Sequence, residues 1–558
     1  MSTKSPELFP TGGLRALSSR EAMQRAAALA RTLPMDKKPA CTGQVNVGIF
    51  FDGTGNNRLE DYEGIPAEEQ VKAMKAGTPP ERPESFPPEL RKHSNVVRLF
   101  HTHKNDADEG FYRYYIPGVG TPFAEVGDAG GMLGSAAAAG GKARILWGFI
   151  KLLNSPYDYL CKGSLIPDDQ GKAIIDKLTG KFSTNWQRQN ELRQWQEKLK
   201  AALRGKKPKI ERINLSVFGF SRGAAQARTF ANWLFEVCEP QDGGWLFAGI
   251  PIHLRFLGIF DTVASVGLAD LTGNGIFEGH QDWADNTMEI HPAIERCVHY
   301  VAGHEVRACF PLDSVRVHAT YPANAEEVMY PGAHSDVGGG YAPGALGISP
   351  TPDSFMSTIP GANMYQKACR AGVPLLLWDE LPQNTQADLT PAQGVIADFN
   401  NYVQASAIGD GQVEDMHIRH MGLYFSYRFK YRTSYRNLPW YLAASDTHKE
   451  YLDVTSTTVL VRLGELLYRV LPSDPSYDPK AAKNSALPWS PATNDIRLQH
   501  LYKIIDNIDL SQLSAPVERL FDRYVHDSMA GFIGMGVNEY KANRMGLMKF
   551  RKVFDKNG

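Results

Sequence analysis

Gly219-Phe-Ser221-Arg-Gly223 sets a serine between two glycines, and a hydroxyl so placed can attack an ester or amide carbonyl. A serine alone is a weak nucleophile; it needs a base, an acid to orient that base, and amides to hold the oxyanion. The sequence offers all three, in the order serine, acid, histidine used by α/β-hydrolases. Asp261 ends the apolar run Arg255-Phe-Leu-Gly-Ile-Phe260, the carboxyl end of a strand, where a triad acid belongs; the alternative is an aspartate capping the helix that follows. His334 lies in Val328-Met-Tyr-Pro-Gly-Ala-His-Ser-Asp-Val-Gly-Gly-Gly-Tyr341, where glycines let the backbone come close, and is the candidate base; the alternative is a turn histidine held by Ser335 or Asp336. His526 also follows Ser221 and Asp261 in the chain and is a rival base. His304, in an expected helix from Ile294 to Cys309, reads as a packed histidine. The Arg222 amide, next to the nucleophile, is one expected oxyanion donor, and the other comes from Gly53 or Thr54 in the turn Asp52-Gly-Thr-Gly55.

These residues need strands to carry them. Ile213, Leu215, Val217 and Phe218 form an apolar run into Gly219, and Ala224, Ala225 and Ala227 suit a helix packed closely on a sheet, so the motif reads as a strand–turn–helix elbow. Gly219 and Gly223 remove side chains that would clash in so sharp a turn. Further strands are expected at 45–51, 111–116 and 254–260, separated by helical or inserted stretches, the alternation of a mainly parallel α/β sheet. Such sheets carry their sites at the carboxyl ends of the strands.

The organisation expected is an N-terminal arm over 1–40, with a helix from Ser19 to Leu33 that docks or covers, and a catalytic domain over 41–350. Insertions fall at about 60–95 and 154–210, and a mostly helical C-terminal module spans 351–558. In that module Tyr424 to Tyr441 interleaves aromatic rings with Arg and Lys, which suits a membrane interface or equally an aromatic strand packed inside the module. Thr455 to Leu471 and Pro516 to Met529 read as helices.

Composition narrows the function classes. Sixty Lys and Arg against 61 Asp and Glu leave a net charge of −1, so no global field recruits nucleic acid, and no basic-aromatic binding motif occurs in the core. The six cysteines are scattered without a Cys-x-x-Cys pair, which argues against a disulfide scaffold and a thiolate metal site and for a reducing compartment. No His-Glu-x-x-His occurs, and the histidines have no metal-ligand spacing, so neither metal nor organic cofactor is expected. Gly118-Val-Gly120 and Gly141-Lys142 fail as nucleotide-binding loops because neighbouring positions lack the required residues. The N-terminus has no apolar signal core, and no run of about 18 apolar residues appears.

Taken together, FFDGTGNN (50–57), IPGVGT (116–121), FGFSRGAAQAR (218–228), FDTVASVG (260–267) and PGAHSDVGGGY (331–341) resemble an α/β-hydrolase family that includes the first family of type VI secretion lipase effectors. The likeness covers about 41–345, with FDRYVHDSMAGF (521–532) similar to the family's C-terminal stretch; the long segment 150–210 departs from it. The resemblance implies an antibacterial phospholipase A that cuts acyl esters of membrane glycerophospholipids through Ser221, Asp261 and His334. It also implies cytoplasmic synthesis, delivery on a secretion spike protein without a signal peptide into the target periplasm, and a cognate immunity protein. A serine esterase acting on soluble esters and a non-catalytic secretion adaptor are the competing readings.

Overall fold

The computed structural model describes residues 2–30, 42–131, 134–180, 182–241, 243–264, 282–307, 310–318, 320–464, 503–531, 551 and 553–554. Its centre is an eight-stranded sheet. β1 (Thr42–Phe51), β2 (Phe111–Ile116), β3 (Lys209–Phe220), β6 (Ile250–Phe260), β7 (Cys297–Ala302) and β9 (Ala325–Tyr330) run parallel in the order β2-β1-β3-β6-β7-β9. β4 (Glu239–Gln241) and β5 (Gly244–Phe247) form an antiparallel hairpin on the lower part of β6. All four expected strands are present within these bounds. The expected helix from Ile294 to Cys309 is instead β7 and its flanks: Cys297-Val-His-Tyr-Val-Ala302 is dominated by β-branched and aromatic residues and is buried on both faces, as a central parallel strand must be.

Side chains alternate across the sheet, and each face collects its own layer. Ile49, Phe51, Val217, Leu257 and Ile259 pack with the helices Gly134–Cys161, Asp168–Thr179, Asn185–Leu203 and Arg222–Val237. The stretch 154–210 is therefore a layer of the core, contributing buried Leu192, Trp195 and Leu199, where an insertion was expected. Phe50, Phe218, Phe256 and Val298 face the other way, onto the helices Asn95–Thr102, Thr358–Arg370, Gln393–Ser406, Val413–Lys430 and Ala515–Arg523.

The expected mostly helical C-terminal region supplies that second layer and packs directly on the sheet. Phe399, Tyr424 and Phe521 belong to the same hydrophobic cluster as Phe50 and Phe218 of the sheet. The first part of the segment read as a membrane rim, up to Lys430, ends a buried helix: Phe425 is 2 % exposed and Phe429 0 %, while Tyr431, Tyr435 and Tyr441 beyond it are half-buried. Arg428 is paired inward to Asp527 at 2.6 Å, and Lys430 pairs with Glu518 at 2.5 Å on the surface. The Phe425 and Phe429 rings belong to the core. Phe429→Ala should cost about 3–5 kcal/mol of stability, read as a lower denaturant midpoint, with no specific loss of vesicle binding in the fraction that stays folded. Among the described residues no helix is long and apolar enough to cross a membrane.

The N-terminal arm closes the β9 edge. Lys4 bridges to Val328 in parallel register, and Thr3 Oγ donates to Glu327 at 2.8 Å. Its helix, Ser19–Ala30, starts with a reciprocal cap between Ser18 and Glu21, and Arg25 donates to the carbonyls of Cys369 and Val373. Residues 31–33 of the expected helix lie outside the described residues, as do 465–471 of the later one.

Candidate active site

The sheet register sets Phe51 beside Gly219 and Phe220 beside Phe260 at the carboxyl edge, so the turns that follow β1, β3 and β6 meet there. Ser221 is the first residue after β3, with φ 57° and ψ −126°, a backbone conformation that a serine adopts only under constraint. The constraint is visible in the contacts. Its N–H donates to Phe260 O at 3.0 Å and its carbonyl accepts from Val263 at 3.3 Å and Ala224 at 3.0 Å, which stitches the elbow to the turn that carries Asp261. Close approach explains both glycines. A Cβ on Gly223 would lie 2.3 Å from Phe51 O, and one on Gly219 would lie 2.5 Å from Gly223 O.

Asp261 also has a left-handed backbone, φ 40°, and its carboxylate is wholly buried. It accepts from His334 Nδ1 at 2.5 Å and from the Ala302 N–H at 2.9 Å. Burial alone would raise this carboxyl, but Arg551, paired to it at 2.7 and 2.9 Å, and His334 hold it far below the usual carboxylate range. An ionised Asp261 fixes the histidine tautomer: Nδ1 carries the proton, and Nε2 keeps its lone pair. That Nε2 is buried with no hydrogen-bond partner among the described residues.

His334 opens the short helix His334–Gly338 after β9. Phe220, the residue before Ser221, lies against its ring at 4.6 Å between centroids, and Phe310 meets it edge-on at 5.0 Å. Burial depresses the imidazole below its ordinary value, Asp261 opposes that, and Arg307 adds to it. No hydrogen bond joins the Ser221 hydroxyl to His334 among the described residues, and Phe220, whose ring lies against the imidazole, is joined directly to Ser221 in the chain. Glu305, salt-bridged to Arg307, accepts from the His334 N–H at 3.1 Å and from Ser528 Oγ at 3.0 Å.

His526, the rival base, has a different acid. Its Nδ1 lies 2.6 Å from Asp336 Oδ1, its N–H donates to Asp336 Oδ2 at 3.0 Å, and its ring stacks on Tyr341 at 3.8 Å. Asp336 also accepts from Ala333 at 3.0 Å, so this second pair clamps the turn that presents His334. His304 is packed as expected, between the Gly332 N–H and Tyr402 Oη.

The two proposed oxyanion turns touch the elbow, with one amendment. Arg222 Nε donates to Thr54 Oγ1, which ties the residue after Ser221 to the Asp52–Gly55 turn. The Gly53 N–H is taken by the Asp52 carboxylate at 2.8 Å, while the Thr54 N–H makes no hydrogen bond among the described residues. Thr54 is thus the available donor and Gly53 is not. Asp52 is itself held by Ser94 and Tyr115 at 2.6 Å each, and burial pushes its carboxyl up to about 6. The turn rests on the other glycine-rich loop: a Cβ at Gly118 would fall 1.7 Å from Gly53 O. Buried Arg144 holds that loop through the carbonyls of Pro117, Gly118 and Thr121.

The sequence reading missed Arg551 and Glu305, and weighed Asp336 only as a partner holding His334. Arg551 lies 290 residues from Asp261 in the chain, in a Lys- and Arg-rich stretch with no motif, and only the fold joins them. Among the described residues no group of three His, Cys, Asp or Glu side chains could hold a metal ion.

Solved structures and family comparison place this site in context. A crystal structure of an uncharacterized protein from Pseudomonas aeruginosa shares the fold, with a TM-score of 0.76 and 24% identity over 99% of this chain and 85% of that one. The structure of the Tle1 effector bound to the VgrG spike from the type 6 secretion system matches more loosely: TM-score 0.28 and 24% identity over 55% of this chain and 53% of that one. No curated protein matches. The catalytic domain described as "T6SS, Phospholipase effector Tle1-like" matches residues 46–238 and 246–367, more than half of the sequence and interrupted only at the β4–β5 hairpin, and the chain therefore belongs to the Tle1-like phospholipase effectors of the type VI secretion system.

Proposed function

We propose that this protein is a serine phospholipase of the A type, in which Ser221 attacks the acyl ester of a membrane glycerophospholipid. The observation that carries the reading is the buried Asp261–His334 pair beside a strained serine, with the imidazole Nε2 left without a partner. His334 takes the Ser221 proton as the oxygen bonds to the ester carbon. The oxyanion is held by the Arg222 and Thr54 amides, the first at the start of the helix Arg222–Val237, whose dipole favours negative charge. His334 then gives its proton to the departing lysolipid oxygen. Water, activated by the same histidine, cleaves the acyl-serine to fatty acid and free enzyme. The missing Ser221–His334 hydrogen bond is consistent with this, because such bonds commonly tighten only when substrate is bound.

Membership of the family supports an antibacterial role, a spike protein as carrier, a cognate immunity protein and action on the membranes of a target cell from its periplasm. Mass spectrometry of lipids from defined phospholipid vesicles tests the chemistry. Fatty acid and lysolipid released by the wild type and absent with Ser221→Ala are the expected result, and the lysolipid isomer identifies the acyl position. Hydrolysis confined to short-chain soluble esters would replace the phospholipase with a general esterase.

The depressed imidazole makes a further prediction. His334 is a base only when neutral, and its titration lies below the ordinary 6.5, so activity is present above that lower value and lost as pH falls through it. The acid limb of kcat/KM should therefore fall below pH 6.5, with a plateau through neutrality.

A further inference from the structure

Arg551 is fully buried, and a buried guanidinium is costly unless every donor is used. Here four hydrogen bonds are made around the Asp261 turn. Nη2 donates to Asp261 Oδ2 at 2.7 Å and Nη1 to Oδ1 at 2.9 Å, a two-pronged grip on the carboxylate. Nη1 also reaches Ala302 O at 3.3 Å, and Nε donates to Phe310 O at 2.8 Å, the residue whose ring meets His334. Two residues on, β10 (Val553–Phe554) pairs in parallel with β8 (Leu312–Asp313), and Asp313 in turn accepts from Ala264 at 2.9 Å and donates its N–H to Thr262 O at 3.0 Å. The segment is thus anchored on both sides of the triad acid.

We propose that Arg551 is a positioning residue of this active site, fixing the Asp261 carboxylate for His334 and offsetting its charge so that the imidazole keeps its Nε2 free as a base under mildly acidic conditions. The inference rests on the Ser221–His334–Asp261 reading above. Its logic is electrostatic. An aspartate with no other cation beside it stabilises imidazolium fully; one already paired to a guanidinium stabilises it less, and the histidine stays neutral to lower pH. The other charges facing His334 are Glu305, Arg307 paired to it, and Asp336 on its own turn, paired to His526. Glu305 and Arg307 act on the imidazole in opposite directions, and Arg551 is paired directly to Asp261, so it governs how much of that carboxylate's charge His334 feels.

The test is the rate at which a fluorophosphonate probe labels Ser221, measured from pH 5 to 9 in the full chain. It needs no knowledge of the lipid. Arg551→Met and Arg551→Gln remove the charge, the second keeping hydrogen-bond donors in case the first does not fold, and Arg551→Lys restores it. The acid limb should move upward by about one pH unit in the neutral variants, with labelling near pH 6 falling several-fold more than at pH 8, and should return toward the wild-type position in the lysine variant. A neutral variant whose limb coincides with the wild type, labelling slowed equally at every pH, would overturn the proposal and leave Arg551 a structural residue. A wild type that does not label at Ser221 would instead overturn the serine-hydrolase reading itself, so the two failures are told apart.

Discussion

Ser221→Ala should abolish lipid hydrolysis, by about 10⁴-fold or more, while leaving the protein as stable as the wild type. The two halves of that expectation have separate causes. The rate falls because Ser221 is the hydroxyl on the constrained elbow turn next to Phe220 and His334, whose Nε2 has no partner among the described residues. Stability holds because the turn is secured by backbone bonds, to Phe260, Val263 and Ala224, and the serine side chain makes no hydrogen bond whose loss would strand a partner. His334→Ala should lose as much activity, and the double variant no more than either single one, because base and nucleophile act as a unit. The measurement is fatty-acid release from vesicles, set beside a urea melt of each variant. Near-wild-type release by Ser221→Ala would place the nucleophile elsewhere and remove the proposal.

Much of this was readable in the sequence, and the reason is local. An elbow announces itself because its glycines are dictated by contacts within a few ångströms, Gly223 against Phe51 O and Gly219 against its own helix. The strands β1, β2, β3 and β6 announce themselves because apolar runs end in turn residues. Failures came where tertiary context overrides local pattern. His304 follows a strand that was read as helical, because a strand buried on both faces has no alternation to reveal it. The ring-rich stretch from Tyr424 looked interfacial, but a cation signals exposure only when no acid waits inside, and Asp527 reaches Arg428 from 99 residues on. Gly53 was a reasonable oxyanion donor until the Asp52 side chain was seen to occupy its N–H. Arg551 could not have been found at all, because a charge neutralised by burial against a distant aspartate leaves no periodicity or spacing behind.

Asp261→Asn should differ from Ser221→Ala in losing both rate and stability. Each carboxylate oxygen accepts two donors: Oδ1 takes Ala302 N–H and Arg551 Nη1, and Oδ2 takes His334 Nδ1 and Arg551 Nη2. An asparagine must turn its NH₂ toward one of these pairs, so in either orientation a donor faces two donors. With the NH₂ toward His334, the imidazole is driven to the tautomer with its proton on Nε2, which cannot take the Ser221 proton; a comparable aspartate loss in serine proteases costs about 10⁴-fold. With the NH₂ toward Ala302, a buried backbone N–H and one prong of Arg551 go unpaired. Either way Arg551 keeps its charge in a fully buried site and loses its counter-ion, a defect that costs about 3–5 kcal/mol in other proteins. The denaturant midpoint should therefore drop for Asp261→Asn and stay put for Ser221→Ala. Combining Asp261→Asn with Arg551→Gln should recover part of the stability, because the stranded charge is gone, and none of the rate, because the histidine still lacks its acid. If the double variant is no more stable than Asp261→Asn alone, the guanidinium is not what makes the loss of Asp261 costly.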